Sequence, residues 1–185
     1  MTLTPASDYP RGVDVFAHAA AGALLGRAVR PTGDRWVAMA VYGAAAGLCP
    51  DIDAPLALLG HEAWFEHHQL YTHSLVGLLW VPLLLASIPR TLAPMKTRYT
   101  VALAGWALHV LMDVVARWPV PVPWPLSSER WALYLIAQDF SLTIDVVLVV
   151  GLLATLYDPL QPLARPIALG TAALVTVWLA AGLPT

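Results

Sequence analysis

Charge is scarce in this sequence. Only 12% of its 185 residues are Asp, Glu, Lys or Arg, about half the share that a soluble domain carries. A chain this poor in charge has too little polar surface to cover a globule in water, and a bilayer is the alternative solvent. Cations are neither abundant nor grouped. Ten Lys and Arg against twelve Asp and Glu give a formal net charge of -2, so the basic stripe of a nucleic-acid binder is missing and no nucleic-acid partner is expected. Cysteine is reduced to Cys49, which excludes an intrachain disulfide framework. The first residues, Met1 to Asp14, are polar and lack a charged stretch followed by an apolar core. That argues against a cleaved signal peptide. Also lacking is the alternation of apolar and polar residues that marks a membrane barrel strand.

What the chain has instead is continuous Leu, Ala and Val. Hydrophobic residues make up 58% of it, with a mean hydropathy of +0.66. The apolar stretches are Val13–Val29, Trp36–Cys49, Thr72–Pro89, Tyr99–Arg117, Asp139–Tyr157 and Pro166–Leu183. Proline punctuates them, most heavily in Trp118-Pro119-Val120-Pro121-Val122-Pro123-Trp124-Pro125, which cannot be helix interior because each Pro removes a donor. These features predict an all-α, polytopic helical membrane protein forming one domain over residues 1–185, with a polar tail over 1–11. A spanning helix needs about 20 residues, and several stretches reach that length only when terminal His and Asp are counted. The expected number is therefore about four to six transmembrane or half-membrane helices.

Arg27, Arg30 and Arg35 fall in one break, Arg90, Lys96 and Arg98 in another, and Arg165 in the last. If every stretch spans, these breaks share one side, which the positive-inside rule makes cytoplasmic. A multi-pass protein of the cell membrane follows, with its His and Asp residues on the non-cytoplasmic face.

Those residues carry the chemistry. His18 stands among alanines near the start of the first stretch, where a packing role competes with a ligand role. Cys49-Pro50-Asp51-Ile52-Asp53 puts two carboxylates in a turn after a helix end. They are either solvated acids or hard oxygen ligands for one metal or two. Glu66-His67-His68-Gln69-Leu70-Tyr71-Thr72-His73-Ser74 holds three of the six histidines, more than packing explains. His68 is expected on the entering loop and His73 in the first helical turn, with Thr72 as N-cap. His109-Val110-Leu111-Met112-Asp113 places an imidazole and a carboxylate one turn apart on the same helix face. Ionisable groups at membrane depth are costly unless paired or functional, so this pair is a metal site or an interhelical lock. Asp139 and Asp145 add carboxylates on the fifth stretch. Asp145 could orient a ligating histidine, carry a proton or pair between helices.

In order along the chain, His18-x-x-x-Gly22, Pro50-Asp51-Ile52-Asp53, His68-x-x-x-Thr72-His73-Ser74-Leu75, His109-x-x-x-Asp113 and Val120-Pro121-x-x-Trp124-Pro125 form a set. This set resembles the YdjM-like family of inner-membrane-associated metal-dependent hydrolases, over roughly residues 18 to 131. The third family motif reads His-Arg-Gly-x-Thr-His-Ser, whereas Gln69 and Leu70 stand here after His68, and Ala54 replaces a His after the second motif. The resemblance implies a membrane metal hydrolase.

Three readings follow. In the first, His18, Asp51, Asp53, His68, His73, His109 and Asp113 hold a divalent metal, zinc before manganese or iron, with Asp53, Glu66 and Asp113 as the catalytic carboxylates. The expected partners are the lipid bilayer and a lipid or lipid-linked (phospho)ester, from location alone. The second reading is a metal-ion or proton transporter using His109, Asp113 and Asp145. The third is a membrane anchor whose polar cluster only stabilises the fold.

Overall fold

The computed structural model describes residues 15–30, 35–60, 67–88, 91–115, 119–133, 141–157 and 162–181. Each apolar stretch becomes a helix: α1 Val15–Val29, α2 Trp36–Leu48, α3 Leu75–Ser87, α4 Met95–Val115, α5 Ser141–Leu156 and α6 Ala164–Ala181. A 3₁₀ stretch, Cys49–Leu59, continues directly from α2 and contains Pro55. No strand occurs among the described residues, and the Pro-rich segment after α4 is tied by one antiparallel bridge between Val120 and Trp131. The all-α expectation stands.

Helix α1 is the centre of the bundle, touching α2, α4, α5 and α6, while α3 packs on α4. Small residues make this possible. Gly22 and Gly26 on α1 face Gly43 and Gly47 on α2, and a Cβ at any of the four would collide with a backbone carbonyl across the contact. Spacing of four keeps each pair on one helix face, and small residues at that spacing let two backbones approach closely in an apolar setting. Beneath α1 lies an alanine-rich core, with Ala17, Ala20, Ala21, Leu24 and Ala28 against Met112, Val115, Leu148 and Ala168. A second core joins α2 to α4 through Met39, Tyr42, Val101 and Ala102.

This connectivity sorts the polar residues to opposite poles. One pole collects the start of α1, the end of α2, the 3₁₀ stretch, the turn before α3 and the end of α4. At the other pole the Arg35 guanidinium donates to the Thr91 carbonyl and the Tyr42 hydroxyl donates to the Arg98 carbonyl.

Two expectations change. Ser74, not Thr72, occupies the N-cap position of α3, and His73 precedes the helix instead of sitting in its first turn. The Thr72 hydroxyl is engaged elsewhere, as described below, and α3 therefore begins later. The second change concerns length. Among the described residues, no helix is long and apolar enough to cross a membrane. α2 and α3 have 13 residues each, and the 21-residue α4 carries Lys96, Arg98 and Asp113. The outward faces are apolar nonetheless, with Phe16, Val41, Leu79, Leu83, Val150 and Leu153 all exposed.

Candidate metal centre

Five side chains from four places in the chain meet at the first pole. His18 comes from the first turn of α1 and is almost fully buried. His109 and Asp113 lie one turn apart near the end of α4, both buried. Asp51 follows Pro50, which turns the chain from α2 into the 3₁₀ stretch. His73 sits in the turn ahead of α3 with no exposed surface.

Their ligand atoms converge. His73 Nε2 lies 3.0 Å from His109 Nε2. Asp51 Oδ1 is 3.5 Å from each of those nitrogens, and Asp113 Oδ2 is 3.3 Å from His73 Nε2 and 3.4 Å from His109 Nε2. Ligand bonds of about 2.0–2.2 Å in a tetrahedron separate the ligand atoms by about 3.3–3.6 Å. The observed separations of 3.0 to 3.5 Å are close to those edges. Two overlapping groups could each hold an ion, His18 with His109 and Asp113, and Asp51 with His73 and His109.

The fold fixes the direction of each ring. His109 Nδ1 faces the Gly47 carbonyl. A carbonyl only accepts, so Nδ1 carries a proton; Nε2 faces the cluster, offering a lone pair to a cation when the ring is neutral and donating to Asp51 or Asp113 when it holds a second proton. The Gly–Gly contact of α1 with α2 is what brings that carbonyl into place, since Gly47 also abuts the backbone of His18. His18 stacks on His109 with ring centroids 3.7 Å apart, and its Nε2 lies 3.3 Å from Asp113 Oδ1. Its Nδ1 has no hydrogen-bond partner among the described residues, and the contacts described for the ring are those of Nε2 and the stack.

Asp51 is the cluster's opening to solvent: its side chain is 22% exposed, against 0% for His73 and His109 and 7% for Asp113. Burial pushes the Asp51 carboxyl up, but hydrogen bonding and charge from His109 and His73 outweigh it and hold the group well below the usual carboxylate range. Asp51 is therefore ionised at neutral pH.

A second layer stands behind His73. Asp53 accepts from the Gln69 backbone N–H at 2.8 Å and from the Thr72 hydroxyl at 3.0 Å, both at Oδ2, while its Oδ1 meets His68 Nδ1 at 2.9 Å. Burial raises the Asp53 carboxyl, and its partners, His68 first, bring it below its ordinary value. Thr72 Oγ1 lies 2.9 Å from His73 Nδ1. Gln69 itself takes a left-handed backbone, φ +71°, a conformation that costs a non-glycine residue about 1–2 kcal/mol. Such strain gathers where surrounding structure demands a particular geometry.

Of the residues singled out from sequence, His18, Asp51, His73, His109 and Asp113 come together. Asp53 and His68 pair with each other one layer out, so the structure does not bring them into the converging set. Asp145, part-buried on α5, belongs to neither ligand group. Glu66 and Asp139 lie outside the described residues. Sequence reasoning gave Thr72 a capping place only, noted Gln69 only as a departure from the family motif, and missed the Gly47 carbonyl. The only signal for Thr72 was its place beside His73, because its carboxylate partner is 19 residues upstream.

Comparison with known families adds lineage to this geometry. The model of the YdjM inner membrane protein family matches residues 13–184. The chain belongs to that family. As a YdjM-family protein it is matched along nearly its whole length, and the matched region includes all five converging residues and the Asp53 layer. Membership agrees with the low charge and the apolar outer faces of the helices. No curated protein and no solved structure matches the chain.

Proposed function

We propose that this protein is a membrane-embedded, metal-dependent hydrolase with its centre at Asp51, His73, His109 and Asp113, and with His18 beside them. The single observation that carries this reading is the set of five separations, 3.0 to 3.5 Å, by which His73 Nε2 and His109 Nε2 meet each other, Asp51 Oδ1 and Asp113 Oδ2, all natural metal ligands. Mixed imidazole and carboxylate donors suit zinc, and next manganese or iron. When bound, such an ion lowers the pKa of water and polarises a carbonyl or phosphoryl oxygen.

The chain's own residues define the rest. His73, His109 and Asp113 form the closed side of the centre, and Asp51 forms the side that substrate approaches. His18 orients Asp113 through Oδ1, which leaves Oδ2 toward the histidines. The exposed apolar faces of α2, α3 and α5 fit acyl chains, and a centre at one end of such a bundle favours a lipid or lipid-linked (phospho)ester. We place the helices in the membrane as short or tilted segments packed together. The arginine pole faces the cytoplasm under the positive-inside rule, with the centre on the opposite face.

The test begins with elemental analysis of protein purified without added metal, where about one tightly held divalent ion per chain is expected. Asp113→Ala should lose it, and a panel of phosphoesters and carboxyl esters should be cleaved by wild type alone. Metal-free wild-type protein, or an Asp113→Ala variant with unchanged metal, would overturn the reading. Metal flux into proteoliposomes without hydrolysis would favour a transporter.

A further inference from the structure

The two nitrogens of His73 have different neighbours, and only one of them faces the converging set. Nε2 points at His109, Asp51 and Asp113. Nδ1 points away, to the Thr72 hydroxyl at 2.9 Å. A neutral imidazole carries one proton, and a bare Nε2 requires that proton on Nδ1. Nothing in His73 itself decides between the two tautomers.

We infer that Asp53, acting through the Thr72 hydroxyl, is a positioning residue that fixes the proton of His73 on Nδ1 and leaves Nε2 bare toward the centre. A carboxylate only accepts, so the Thr72 O–H, 3.0 Å from Asp53 Oδ2, must point at it. With its one proton committed, the Thr72 oxygen can only accept from His73, and Nδ1 must be the donor. Asp53 is itself aligned by two further donors, the Gln69 N–H and His68 Nδ1. The Thr72 main chain is pinned as well, because the Trp106 indole N–H donates to its carbonyl at 2.6 Å. The left-handed φ of Gln69 sets the course of the chain beyond it, so that the Gln69 N–H and the Thr72 hydroxyl both reach Asp53 Oδ2. Asp53 thus takes the part of an orienting carboxylate set one hydroxyl behind a ligating histidine, and not that of a ligand. His68 supports Asp53 in the same layer.

The inference rests on the proposed metal centre for its functional meaning, but the tautomer is testable without metal. Nitrogen-15 spectra of histidine-labelled, metal-free protein in detergent should show His73, assigned by its loss in His73→Ala, protonated at Nδ1. Thr72→Val, which keeps the shape and removes the hydroxyl, should release the preference, and Thr72→Ser should restore it. In chelator competition Thr72→Val and Asp53→Asn should lose about 10- to 100-fold in metal affinity, the usual effect of removing an orienting partner, while Thr72→Ser stays near wild type. Cobalt-substituted protein should report the same order in its visible spectrum. A His73 already protonated at Nε2 in wild type, or unchanged in Thr72→Val, would overturn the inference. So would Thr72→Ser failing as badly as Thr72→Val. Wild-type protein that binds no metal yet shows the Nδ1 tautomer sinks the metal centre and leaves the positioning role standing.

Discussion

The two poles of the bundle handle buried polarity in opposite ways. At the arginine pole, donors meet carbonyls: Arg27 Nη2 donates to the Thr155 carbonyl at 2.9 Å and Nη1 to the Arg30 carbonyl at 3.3 Å, with the guanidinium 4.2 Å above the Trp36 ring. Each of these bonds ties one side chain to the backbone near a helix end, where a cation also complements the helix dipole. At the other pole, side chains meet side chains, and every atom that converges is of a kind that can bind metal. His109 Nε2, Asp51 Oδ1 and Asp113 Oδ2 converge on His73 Nε2 within 3.5 Å. The first arrangement is side chain to backbone, and the second gathers side-chain atoms that could hold an ion. That difference is what the proposed metal centre rests on.

The sharpest way to break the comparison is to remove one residue at each pole. His109→Ala should abolish tight metal binding and any activity that depends on it, since it takes away a member of both ligand groups. Arg27→Ala should leave metal affinity unchanged and cost stability, about 3 kcal/mol or more for a buried charged group with its hydrogen bonds. Equal effects on metal content at the two positions would erase the distinction. Dialysis against a chelator followed by elemental analysis reads the first effect, and thermal denaturation in detergent reads the second.

Next in size is the contact that joins the poles. Gly43→Val places a branched side chain against the backbone of α1 at Gly22 and Gly26. A loss of about 1–3 kcal/mol is expected from forced overpacking, together with weakened metal binding as Gly47 and His18 are pushed apart. Unchanged melting behaviour would show that the helices do not approach as closely as described.

The smallest expected effect concerns acid. The Asp53 carboxyl is held below its unfolded value, so its contribution to stability is complete above that unfolded value, about 3.9. The contribution is lost as pH falls through the lower folded value. In metal-free protein Asp53→Asn should therefore be less stable than wild type near neutrality. Its stability should also fall less steeply with acid. Melting curves between neutral pH and about pH 3 compare the two slopes, and parallel acid limbs would show that Asp53 does not draw on its partners in the folded state.

Much of this arrangement was legible in the residues. The apolar stretches and their proline breaks located the six α-helices of the described residues to within a few positions, because helix interruption is a local matter of missing donors and steric clash. His109 and Asp113 were recognisable as a pair for the same reason, since helix geometry alone puts positions four apart on one face. Transmembrane or half-membrane helices were also expected, and among the described residues none is long and apolar enough to span. Apolar length was counted through His and Asp residues that the fold instead gathers at a helix end.

Asp51 and Asp53 mark the limit. Two residues apart, alike in chemistry and both beside a proline turn, they were equal candidates as ligands. In a 3₁₀ stretch of about three residues per turn they point in different directions, Asp51 toward His73 and His109, and Asp53 toward His68 and Thr72. His68 and His73 divide in the same manner. The sequence by itself determined that this is an all-helical, charge-poor chain with a particular stock of ligands, because composition and periodicity act locally. Only the tertiary structure decided which of those ligands face one another and which stand behind. That choice depends on the glycine-mediated approach of α1 to α2 and on hydrogen bonds across many residues of chain, and neither can be read from local spacing.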